Sequence, residues 1–99
     1  MSMRFSVGDQ VKVSDGYSWA RGALGTVVQP PDAVVEMSGG WHGPYREVAS
    51  LRGMLIFYWV EFEHPHRDAD GDGPYSEAEI ESDYLLPARE QASSADAAI

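Results

Sequence analysis

Twelve residues, DADGDGPYSEAE at 68–79, place carboxylates at their first, third, fifth and twelfth positions and a glycine at the sixth. Calcium is a hard cation that takes about six to eight oxygen ligands, and a calcium loop of the EF-hand kind supplies them at this spacing. Asp68, Asp70, Asp72, the carbonyl of Pro74 and a bidentate Glu79 would be the donors, with Gly73 making the sharp turn. The competing reading is a solvated hairpin loop whose aspartates and glycines serve the turn backbone. The flanks favour the hairpin. An EF-hand holds its loop between helices, whereas FYWVEFE upstream has the composition of a strand and Pro65 interrupts any entering helix. If 76–81 is a strand, Glu79 lies opposite Ile80 and points away from the loop. Ser76-x-x-Glu79 also reads as a capping box, which would favour a short helix instead. Calcium affinity from so little scaffold is expected to be weak, ~10⁻⁴–10⁻³ M.

Other groupings carry less chemistry. His64-x-His66 beside Asp68 can project two imidazoles from one side of an extended segment, but the pair has only the distant His42 as a third nitrogen ligand. Ser6, Ser14, Ser18, Ser50 and Ser76 stand in no nucleophile-elbow context. GALG at 22–25 lacks the lysine and the strand–loop–helix setting of a phosphate cradle. The chain has no cysteine, which excludes disulfides, thiolate metal sites, iron–sulfur clusters and cysteine nucleophiles together. The expectation is a non-enzyme without a resident cofactor, weak calcium at the 68–79 loop being the alternative.

The net charge of −9 is unevenly placed. Residues 1–60 are balanced, with five basic and five acidic side chains, so the whole excess lies in 61–99. Nucleic-acid binding draws its affinity from Lys and Arg neutralising phosphates, which argues against such a partner. Acidic surfaces suit cations and basic partners. No apolar run approaches the ~20 residues of a membrane-spanning helix. The first residues, MSMRFSVGDQ, lack the apolar stretch of a signal peptide, so a cytoplasmic protein is expected.

The elements that must position these groups are short strands. FSVGDQVKV alternates apolar and polar residues and predicts a strand at about 10–14. GTVVQ at 25–29 predicts a second, ended by Pro30-Pro31. Residues 30–53 show no sustained period and read as one long inserted loop, inside which VVEM and REVASLRG can each form a short strand or a turn of helix. LIFYWVEFE at 55–63 is the strongest strand signal, YSEAEIES alternates again, and DYLLP predicts a tight turn and a last short strand ending at Pro87. The residues at 88–99 are small and polar and read as a frayed tail.

Period two along 55–63 sends Ile56, Tyr58, Val60 and Phe62 to one face and Phe57 and Trp59 to the other. Both faces are apolar, so the second needs a cover. The 30–53 segment can supply it, burying Trp59 against Trp41 or Met54, and a partner surface is the alternative cover. Tyr17, Trp19, Trp41 and Tyr45 are then the aromatic residues expected to contact a partner protein, since small barrels bind partners through aromatic-lined grooves between loops.

Taken together, F-x-x-GD-x-V-x-V, RGALGTVV, Y-W-V-E-F and the closing YLLP resemble the Src-homology-3-like small barrel over about residues 5–87. Within that class the order is most similar to the C-terminal barrel of the nitrile hydratase beta subunit and its electron-transport accessory relatives. Its opening is also similar to that of KOW modules. The resemblance implies an all-β, five-stranded barrel over 1–87 and a non-catalytic interaction or accessory role. In a hydratase-type assembly the metal ligands would lie on the partner chain. The HPHRDADGDG loop and the 30–53 connection depart from that pattern.

Overall fold

Alternating valines set the first strand: in β1 (Gln10–Val13) Val11 and Val13 are fully buried while Gln10 and Lys12 face outward. β2 (Leu24–Val27) pairs antiparallel with it. A computed structural model describes residues 5–88 of the chain, so the expected tail, apart from Ala88, lies outside the described residues.

Residues 30–53 are more structured than one loop. Pro31 caps a seven-residue helix, α1 (Asp32–Ser38), which buries none of its residues and is stopped by Gly39. VVEM therefore takes the helical option, while REVAS joins a strand. Trp41 and His42 form β3 and Tyr45–Ser50 form β4, joined by the two-residue turn Gly43-Pro44. Gly43 has φ +66°, which a two-residue hairpin of this kind requires at its first central position.

β5 (Gly53–His66) is fourteen residues long and organises the sheet. Along one edge it pairs first with β4, through residues 53–58, and then with β2, through residues 60–62. Trp59 marks the changeover. Its N–H donates to the Pro44 carbonyl at 2.8 Å and its own carbonyl accepts from Val28 N–H at 3.0 Å. On the other edge lies β6 (Tyr75–Glu81), followed by a 3₁₀ turn (Ser82–Tyr84) and β7 (Leu85–Pro87), which returns to pair with β1.

The result is a curled antiparallel sheet forming a half-barrel, in agreement with the small all-β barrel expected. The five expected strands are β1, β2, β5, β6 and β7, and the β3–β4 hairpin adds two. β5 outruns its expected end and passes through Pro65. A proline cannot donate to a ladder, and here it falls in a register irregularity between Glu61 and His66.

The concave face holds the core, in which Val11, Val13, Val27, Tyr58, Val60 and Ile80 are the largest fully buried side chains. Phe5, Phe62 and Leu85 belong to the same cluster, Phe62 on the inward face that the alternation along 55–63 requires. Among the described residues no helix is long and apolar enough to cross a membrane.

Candidate functional site

The acidic loop folds as a turn with an internal cation. Asp68 Oδ1 accepts the backbone N–H groups of Asp70 at 3.0 Å and Asp72 at 2.9 Å, and Asp68 N–H donates to the Asp72 carbonyl. Arg67 spans the same turn, its guanidinium donating to the carbonyls of Gly71 at 3.1 Å and Gly73 at 3.2 Å. One ligand atom each from Asp68, Asp70 and Asp72 lies within 4.8 Å of the others, and this is the one such group of three or more among the described residues. Glu79 belongs to β6, which forms in place of the capping-box helix, and on its outward face Glu79 is engaged by a fork of hydrogen bonds from Arg46. The aspartates therefore converge as the calcium pattern requires, while the twelfth-position carboxylate is committed elsewhere.

The convex face of the sheet carries the second grouping. Residues directly paired across antiparallel strands share a face, and the pairs Trp41–Arg46, Arg46–Phe57 and Phe57–Glu81 define one row across β3, β4, β5 and β6. In the next positions Trp59 faces Glu79 and Glu61 faces Glu77. Trp41 meets Trp59 edge to face, ring centres 6.0 Å apart, so the 30–53 segment does shield Trp59. The shielding comes from a hairpin that widens the sheet rather than from a loop folded across it. Met54 plays no part and is 60% exposed. Arg46 sits over the Trp41 ring at 5.8 Å while its Nε and Nη2 donate to Glu79 at 2.8 and 3.0 Å. That fork holds the Arg46 guanidinium above its usual pKa. Trp59 Nε1 donates to Glu77 Oε1 at 2.6 Å.

Between this face and the β1–β2 connection lies a groove of about 390 Å³, lined by Trp19, Trp59, Tyr75 and Ala78 with Asp68, Glu77 and Glu79. Trp19 stands edge-on to both Phe62 and Tyr75, each at 5.8 Å. Partial burial and the nearby Asp68 and Asp72 carboxylates push the Tyr75 hydroxyl pKa up.

The four aromatic residues expected at a partner surface are not brought together. Trp19 lines the groove and Trp41 stands behind Trp59. Tyr17 packs on Tyr84 at 5.0 Å, and burial pushes its hydroxyl pKa up. Tyr45 turns to the concave side, 5.7 Å from Tyr58. Trp59, Tyr75 and Glu77 take the places at the groove that sequence reasoning gave to Tyr17 and Tyr45. His66 packs edge-on against Phe62 at 5.4 Å and His42 lies beside Tyr45, so the histidines are separated. Compared with known proteins, the chain matches no family model, and no curated protein or solved structure shows significant similarity to it.

Proposed function

We propose that this chain is a non-catalytic protein-interaction module of the Src-homology-3-like barrel class. The observation that carries the reading is the groove of Trp19, Trp59 and Tyr75 beside an acidic sheet face. Aromatic-lined grooves on small barrels are suited to peptide segments of partners, and the acids suit a basic one. The barrel class is supported by strand order. GD-x-V-x-V leads into β1, GTVV forms β2, Y-W-V-E-F lies in β5, and YLLP makes the turn and β7.

The test is affinity capture from the native host with the parent and with Trp19→Ala. A partner held by the parent and lost from a variant that still melts cooperatively supports the reading. Capture of the same proteins by both places the contact elsewhere. If the partner carries a cysteine metal motif, the chain is the accessory subunit of a hydratase-type assembly.

The convergence of Asp68, Asp70 and Asp72 favours a second reading, a weak calcium site. Arg67 already binds the Gly71 and Gly73 carbonyls of the turn and Glu79 is engaged by Arg46, so a calcium ion would share the turn with a resident cation and lack its bidentate twelfth ligand. Millimolar calcium is therefore expected to change the melting temperature little. A site with a dissociation constant of ~10⁻⁴ M would gain about 1.4 kcal/mol at 1 mM calcium, or ~6–11 °C at 4–8 °C per kcal/mol for a domain of this size. A rise of that order, abolished by Asp70→Asn, would establish the calcium reading.

A further inference from the structure

The convex face contains one completed arginine site and, beside it, the parts of a second. In the first, Arg46 lies over the Trp41 ring at 5.8 Å and forks onto Glu79. A planar guanidinium satisfies both demands at once, stacking on an indole while presenting parallel N–H donors to a carboxylate. In the second, Trp59 and Glu77 are already joined, with Trp59 Nε1 donating to Glu77 Oε1. That hydrogen bond holds the carboxylate at the ring and leaves Glu77 Oε2 for another donor. Among the described residues no cation pairs with Glu77: Arg46 is committed to Glu79, and Arg67 to the acidic loop.

The surroundings favour a cation independently. Glu61 and Glu77 are directly opposite each other on β5 and β6, an arrangement of like charges that destabilises a sheet unless a positive charge joins it. Trp19 and Tyr75, in edge contact with each other, wall the groove from the other side, and Asp68 adds a further carboxylate.

We propose that this groove binds an arginine side chain from a basic segment of a partner protein, the guanidinium resting on Trp59 and pairing with Glu77. This rests on the reading of the chain as an interaction module and names what that module recognises. The fixed fork distinguishes arginine from lysine, whose ammonium is a compact point charge without a plane to stack. The negative field of the acidic face, opposite in sign to the guanidinium, raises the rate of encounter and makes binding salt-sensitive.

The experiment is a titration of ¹⁵N-labelled protein with three blocked glycine peptides carrying three arginines, three lysines or three citrullines. Saturable shifts of the Trp59 and Trp19 indole N–H signals are expected with arginine, weaker binding with lysine and none with the neutral citrulline. Glu77→Gln, which preserves shape, is expected to weaken arginine binding about tenfold, as for other charge-assisted pairs. Glu63→Gln removes the same charge beyond the groove and is expected to leave the affinity within about twofold. Equal binding of arginine and lysine, or equal loss in the two variants, would reduce the effect to general charge attraction and overturn the proposal. So would an arginine titration that moves neither indole. If host capture still finds a partner lost on Trp19→Ala, the interaction reading survives that failure.

Discussion

Replacing Gly25 by alanine is expected to destabilise the domain by about 3 kcal/mol, the upper end of the ordinary overpacking range. Gly25 lies in β2 between Val11 of β1 and Phe62 of β5. A Cβ at this position would stand 2.6 Å from Val60 Cγ1 and 2.7 Å from the Glu61 carbonyl oxygen. Neither neighbour can yield readily. Val60 is fully buried, and the Glu61 carbonyl belongs to the strand that holds β2, β4 and β6. Relief would require β2 to move away from β5, disturbing the ladders on both its edges. For a domain of this size each kcal/mol lowers the melting temperature by ~4–8 °C, so a fall of about 12–24 °C is expected. A variant melting within ~3 °C of the parent would show that the two strands have room the structure does not give them.

Tyr58 carries the other large effect, and two substitutions separate its parts. Its side chain is 2% exposed, and its hydroxyl oxygen accepts the Phe5 backbone N–H at 3.0 Å, fastening the segment before β1 onto the middle of β5. Tyr58→Phe removes only that acceptor, leaving a buried N–H unpaired at a cost of about 1–3 kcal/mol. Tyr58→Ala also removes the ring that packs edge-on to Phe5 at 5.4 Å and lies 5.7 Å from Tyr45. Deletion of a buried large aromatic costs ~3–5 kcal/mol. Urea unfolding reads both as shifts of the midpoint at constant slope. If Tyr58→Phe unfolds at the parent's midpoint, the Phe5 N–H has another acceptor and the fastening described here is wrong.

Much of this framework was legible from alternation, because a half-buried strand must repeat every two residues. That rule assigned Tyr58, Val60 and Phe62 inward and Phe57 and Trp59 outward, and it placed Glu79 opposite Ile80. It failed where an element is too short to repeat. β3 has two residues, and its only sequence signs are the aromatics on either side of Gly43-Pro44. Pro65 misled for a different reason: proline ends a regular ladder but is tolerated where the ladder is already interrupted.

The groove was harder to read than the strands. Which side chains meet Trp59 depends on the register between β5 and β6 across the 67–74 loop, and a slip by one residue would exchange Glu77 and Glu79 for Ala78 and Ile80. The acidic pattern was visible, but the roles of Glu79 and Arg67 were not. Each depends on a partner that sequence spacing does not identify: Arg46 is 33 positions from Glu79, and Arg67 reaches forward over the turn to the Gly71 and Gly73 carbonyls.

The pairing of β7 with β1 has a mechanical consequence. Val11 stands opposite Pro87 and Val13 opposite Leu85, so the chain enters β1 and leaves β7 at the same end of one antiparallel pair. Tension applied across the two connections would first meet the Phe5–Tyr58 fastening and then load the ladder one rung at a time, peeling it open like a zipper. In a sheet pulled along its strands, by contrast, the rungs share the force. A barrel connected in this way is poorly built as a tension-bearing link. It is better suited to attachment from one side, since both strand ends lie at the same end of that pair.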